Sequence, residues 1–232
     1  MTPARDTQIR RSAKAVQRQL WHNRAKIWNA PRSIDDLIPM PTDVIVESLL
    51  RVRLERPEDI PQERDGFQTA GFLDRATGRI VVAQKYRVEY RRFTMAHEIG
   101  HWILHPGLSL HRDRPMTGAE RGSTTRPVQE QEADLFASEL LMPGTILTKY
   151  FRDTFGEAID HSELSTDAAC WLSNPRRNVT FSDLRGNRRR LSMVIAEAPS
   201  FGPTNSFIPL AVRFGVSMTA MAIQLEDLGL VV

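Results

Sequence analysis

The chain is poor in the features that would exclude an ordinary globular fold. It has one cysteine, Cys170, so it can form neither an intramolecular disulfide nor a cysteine-based metal cluster. Its longest apolar runs are four or five residues, such as Ile80-Val81-Val82-Ala83, whereas a membrane span needs about 20. The N-terminus lacks the apolar core of a secretory signal. Repeats and low-complexity tracts are also missing. These absences point to a cytoplasmic protein with no membrane partner. The composition, 41% hydrophobic and 25% charged over 232 residues, is that of a folded chain rather than a disordered one.

Charge is unevenly placed. Residues 1–30 hold seven bases (Arg5, Arg10, Arg11, Lys14, Arg18, Arg24, Lys26) against the single acid Asp6, and the rest of the chain is net −3. A basic arm therefore precedes a slightly acidic body. The overall excess of base is a property of the arm, not of a nucleic-acid-binding fold.

Apolar spacing predicts an amphipathic helix over 7–28 on Ile9, Ala13, Val16 and Leu20. That helix either packs on its own domain or dimerises through Leu20, Trp21, Ile27 and Trp28. A short helix is expected over 42–50 with Thr42 as its cap. Residues 52–54 follow, then two strands over 66–73 and 79–84 joined by a turn at 74–78 that ends in Gly78. Helices are expected over 89–105, 127–141 and 143–154. The stretch 106–127 reads as a long loop. Beyond it come a helix near 162–172, a short strand near 191–197, and two short helices over 207–229, with Ser217 as cap and Gly229 as stop. The class is α+β. The divisions expected are a basic helical arm (1–30), a catalytic core (31–155), and an insertion plus C-terminal helical subdomain (156–232).

The informative segment is Phe93-Thr-Met-Ala-His97-Glu98-Ile-Gly-His101-Trp-Ile-Leu-His105. It contains H-E-x-x-H. At about 100° per residue, His97 and His101 lie about 40° apart on one helix face, and two imidazoles one turn apart can share one zinc ion. Met95, Ile99, Trp102 and Ile103 lie opposite. Glu98 stands beside the histidines as a general base. His105 would be about 12 Å along the axis from His97, too far to share the ion, so it caps the helix end or lines the cleft.

A hydrolytic zinc needs a third protein ligand and an open position. The second strong helix has the apolar face Ala133, Phe136, Ala137, Leu140, Leu141. Glu130 projects about 60° to one side of Ala133, tucked against that face, and is the geometric choice for the third ligand. Asp134 is placed to accept from the far nitrogen of a ligating histidine. Glu132 and Glu139 fall on the outer side and read as a solvated face. Small Ala133 and Ala137 would let the two helices approach closely. With zinc acidifying a water, Glu98 takes its proton as the water attacks a peptide carbonyl, then delivers it to the leaving amine. A second oxyanion donor is expected, with Tyr150, His105 and His161 as candidates. Manganese is the alternative to zinc.

Arg92-Phe93-Thr-Met-Ala-His97-Glu98-Ile-Gly-His101-Trp-Ile-Leu-His105-Pro106, followed by Glu130-Gln-Glu132-Ala133-Asp134-Leu-Phe136-Ala137-Ser-Glu-Leu140-Leu141-Met142-Pro143, resembles the ImmA/IrrE-type metallo-endopeptidases. The tail from Leu210 to Leu230 is similar to that family's closing helix pair. The resemblance implies a zincin core with a helix-turn-helix-like C-terminal piece. It implies zinc on His97, His101 and Glu130, Glu98 as base, and a helix-turn-helix repressor as the protein cut. Residues 1–30 and most of 150–205 have no counterpart in it.

There are three rival readings. A DNA-binding regulator is disfavoured because the second tail helix, 217–228, has Glu226 and Asp227 and no Lys or Arg, and DNA affinity needs phosphate-neutralising bases. The basic arm, Arg185 and Arg188 to Arg190 offer footholds for nucleic acid, against the simpler reading of a solvated face. A non-catalytic repressor-binding protein has no use for Glu98. A conflict-system peptidase, such as a toxin, would share the chemistry and differ in target.

Overall fold

The computed structural model describes residues 2–61, 69–113, 126–172, 180–202 and 206–232. It separates into two compact units, Met1–Leu141 and Met142–Val232, and is α+β.

The first unit opens with helix α1 (Pro3–Trp28). It starts four residues earlier than the apolar spacing indicates, because Thr2 caps it by accepting from the Arg5 amide and Pro3 supplies a preset first turn. Asn29, in the left-handed region, ends it. Ile9, Ala13, Val16 and Leu20 form its buried stripe, each large side chain contributing about 1.5–3 kcal/mol by leaving water. The helix packs on its own unit, against α4.

A 3-10 turn (Asp35–Leu37) leads to α2 (Thr42–Val44), which runs on as a π turn over Ile45–Leu49. Thr42 is the first helical residue there, not the cap. Strands β1 (Arg53–Glu55), β2 (Gly71–Asp74) and β3 (Arg79–Val82) come next. The start of the expected strand, at 66–68, lies outside the described residues. Helix α3 (Val88–Leu104), strand β4 (Leu110–Asp113) and helix α4 (Val128–Leu141) complete the unit. Strand β4 corrects the reading of 106–127 as loop throughout.

The sheet order is β1-β3-β2-β4, with β1 parallel to β3 and the other pairs antiparallel. Phe72 pairs with Val81, and Leu73 with Ile80. Successive side chains alternate faces, so Phe72 and Val81 join Ile60, Ala83 and Tyr86 in one cluster. Leu73 shares the other face with Gly71, whose absent Cβ would point at Thr94 of α3. Both faces of β3 are covered, which explains its unbroken apolar run. The β2–β3 turn is tied by Asp74, which accepts from the Thr77 amide and hydroxyl at 3.2 and 2.6 Å. Sheet, α3, α4 and α1 pack in that succession.

The second unit contains α5 (Gly144–Phe155), α6 (Thr166–Leu172), α7 (Phe181–Arg185), α8 (Arg188–Glu197), α9 (Leu210–Phe214) and α10 (Met218–Asp227). The strand expected near 191–197 is instead α8. Asn187 caps it by accepting from the Arg190 amide, and Leu191, Ser192, Ile195 and Ala196 are buried at helical spacing. Ser217 caps α10 as the sequence indicates, and Gly215 and Gly229 take the left-handed conformation that ends α9 and α10. Residues Ala220–Leu225 of α10 are buried in succession, so that helix serves packing within the unit. No described helix is long and apolar enough to cross a membrane.

Candidate metal centre

Helix α3 owes its burial to its position. From Thr94 to His101 every residue is buried, because this stretch passes between the sheet and α4. Its contact with α4 depends on Gly100. A Cβ there would stand 3.2 Å from the Ala133 Cα and from the Phe136 ring, and 3.3 Å from the Ala133 carbonyl oxygen. The close approach that Ala133 and Ala137 suggested is completed by a glycine on the opposite helix. At the C-terminal end, the Arg75 guanidinium donates to the carbonyls of Trp102 and Leu108 at 2.8 and 3.1 Å and lies over the Trp102 ring. The turn region of the β2–β3 hairpin thus satisfies one carbonyl that the helix end would leave open, that of Trp102, and ties down the segment after it through Leu108.

The packing brings three donors together. His97 Nε2 and His101 Nε2 are 3.0 Å apart. Glu130 places Oε2 3.4 Å from the first and Oε1 3.5 Å from the second. Metal–ligand bonds of about 2.0–2.2 Å at a tetrahedral angle separate donors by about 3.3 Å, so the triangle has the size of one face of such a site. His97, His101 and Glu130 form a group that could hold one metal ion. Glu98 is fully buried on the same helix. Its Oε1 lies 3.7 Å from where a Gly71 Cβ would stand, and that Cβ would itself be blocked by Thr94 at 2.5 Å and the Val81 carbonyl oxygen at 3.1 Å, so β2 presents bare backbone there.

Each imidazole is held from behind. His97 Nδ1 is 2.9 Å from Asp134 Oδ1. Arg126 bridges the carboxylates, donating to Asp134 Oδ2 at 2.8 Å and Glu130 Oε2 at 3.1 Å. His101 Nδ1 is 3.0 Å from His105 Nδ1, and His105 Nε2 is 2.9 Å from Glu132 Oε2. Both ring nitrogens of His105 are thus engaged within this chain of contacts. His105 follows the last residue of α3, and its backbone amide donates to the His101 carbonyl.

Glu132 and Glu139 correct the sequence reading. They are 6% and 2% exposed, not solvated, because α1 covers that side of α4. Arg5 binds Glu132 through two nitrogens at 2.7 and 2.6 Å, and Arg10 binds Glu139 at 2.9 Å. The hydrogen bond from Arg5, reinforced by His105, holds the Glu132 carboxyl below its usual pKa against the effect of burial. The remaining oxyanion candidates belong to the second unit. The Tyr150 ring stands edge-on to Phe214, and His161 Nδ1 is 2.7 Å from the Val232 carbonyl oxygen. Arg5, Arg126, Gly71 and Gly100 were not singled out from sequence. Only the glycine inside H-E-x-G-H offered a signal, as a residue able to admit a neighbouring helix.

Two imidazoles and a carboxylate on packed helices, beside a buried glutamate, define a metallopeptidase-type protein. Residues 50–164 match the IrrE N-terminal-like domain, Peptidase_M78, and the chain carries a domain of this ImmA/IrrE family. No curated protein matches it significantly.

Proposed function

We propose that the protein is a zinc-dependent endopeptidase that cuts one specific protein in the cytoplasm, a helix-turn-helix repressor, and so relieves repression. His97, His101 and Glu130 would hold the ion, with zinc favoured over manganese by the two imidazoles. The observation that carries this reading is the convergence of those three donors from α3 and α4, with separations of 3.0–3.5 Å. When bound, the ion supplies Lewis acidity toward a water molecule and the scissile carbonyl.

The chain's own residues supply the rest. Glu98 accepts the proton of the attacking water and returns it to the leaving amine. Asp134 accepts from His97 Nδ1, which leaves Nε2 of that ring for coordination. Arg126 orients Glu130 and Asp134 together. The repressor target rests on the family resemblance, since fold alone does not supply a substrate.

The test is co-expression with candidate helix-turn-helix regulators, followed by a search for site-specific fragments. Glu98→Gln is expected to bind zinc as the parent does and to yield no fragments. Fragments at the parent rate from that variant would remove Glu98 as the base. A regulator that binds the protein yet stays intact under every metal condition would favour a non-catalytic role.

A further inference from the structure

We infer that the N-terminal helix α1 is a positioning element of the metal centre, acting through a chain of contacts from Arg5 to Glu132, His105 and His101. The inference rests on the proposed role of His101 as a ligand. If His101 Nε2 faces the ion, its proton sits on Nδ1 and is donated to His105 Nδ1, 3.0 Å away. His105 must then carry its own proton on Nε2 and donate it to Glu132 Oε2 at 2.9 Å. One assignment of protons satisfies every link, and it ends on a carboxylate that needs a fixed partner.

Arg5 is that partner. Its Nε and Nη2 engage the two oxygens of Glu132 at 2.7 and 2.6 Å, a two-pronged geometry that fixes orientation as well as charge. The other ligating ring has a comparable arrangement, His97 to Asp134 to Arg126, but there the arginine lies inside the family-matched segment 50–164. For His101 the arginine comes from a helix outside it. The α1 helix is held on α4 by more than Arg5. Ile9, Ala13, Val16 and Leu20 are buried, Arg10 binds Glu139, and the Gln17 amide donates to the carbonyls of Glu139 and Leu140 at 2.7 and 3.2 Å. Arg5 is therefore delivered by a docked helix, and removing its side chain leaves the other anchors in place.

The experiment uses the full chain, stripped of metal. Zinc affinity is measured by competition with a chromophoric chelator, and coordination geometry by the visible spectrum of the cobalt(II)-loaded protein. Loss of a partner behind a ligating histidine weakens metal binding by about 10–100-fold. Arg5 stands two residues further back, so Arg5→Ala is expected at the low end, about tenfold, with an altered cobalt spectrum. Arg5→Lys keeps the charge but loses the fork, and is expected to fall between Arg5→Ala and the parent. Arg10→Ala, which cuts an α1–α4 contact not linked to any histidine, is expected to lower the unfolding midpoint while leaving zinc affinity and cobalt spectrum at parent values.

Parent-like affinity and spectrum in Arg5→Ala would overturn the inference. So would an equal loss in Arg10→Ala, which would trace the effect to helix docking in general. His101→Ala separates this failure from failure of the underlying reading: if it too binds zinc like the parent, the metal site itself is misassigned.

Discussion

Gly100 of α3 packs directly against Ala133 of α4, with 3.2 Å between the position of an added Cβ and the Ala133 Cα. The atoms opposite are largely backbone, which cannot rotate away. In an exposed helix, Gly→Ala would gain about 1 kcal/mol of propensity. Here, overpacking at about 1–3 kcal/mol opposes that gain and exceeds it. Gly100→Ala is expected to lower the urea midpoint. It should also weaken zinc binding, because any separation of the helices moves Glu130 away from the two imidazoles. Unchanged stability and affinity would mean that α4 can shift without cost.

Arg126 faces two carboxylates, on Glu130 and Asp134. Removing one member of such a partly buried group leaves like charges uncompensated. Arg126→Ala is expected to cost about 1–3 kcal/mol in the metal-free protein. The loss should be smaller with saturating zinc, because the cation takes over neutralisation of Glu130. Thermal unfolding with and without zinc measures the difference. An equal loss in both conditions would count against Glu130 as a ligand.

In the second unit Glu226 offers a pH test. Burial raises its pKa, but hydrogen bonds from Arg189 and Ser192 and the charges of Arg189 and Arg188 outweigh this and hold it below the usual carboxylate value. Arg189 grips both oxygens at 2.7 Å. A carboxyl with a lowered folded pKa stabilises the fold above its unfolded pKa, about 4.3, and loses that contribution as pH falls through the folded value. Glu226→Gln is therefore expected to destabilise the protein near pH 7 and to narrow its gap from the parent below about pH 4. A gap independent of pH would show that the ion pair contributes nothing.

The two helices of the site were legible because their signals are local. H-E-x-x-H and the apolar face of α4 both follow the helical period, and Glu130 falls out of the same angular arithmetic. The errors came from partners far away in sequence. Glu132 and Glu139 looked solvated because nothing in the α4 segment announces that α1, more than a hundred residues earlier, lies against it. Strand β4 sits in a Gly- and Pro-rich stretch and is defined by pairing with β2, which no local pattern reveals. Helix α8 was misread for a different reason. Met193, Val194 and Ile195 resemble a strand, whereas the cap Asn187 and the four-residue step from Leu191 to Ile195 carried the helical signal. Arg5 and Arg126 are ordinary charged residues until the fold brings carboxylates to them.

The layering of sheet, α3, α4 and α1 has a consequence for the empty and loaded states. In many small zinc domains the ion organises the polypeptide, and chelation unfolds it. Here the imidazoles hang from a fully buried stretch of α3, and their outer nitrogens already have partners, so the scaffold should exist before the ion arrives. Prolonged dialysis against a strong chelator is expected to leave the circular dichroism spectrum unchanged and to be fully reversed by one equivalent of zinc. Collapse of the helical signal on stripping would mean that the ion builds the scaffold.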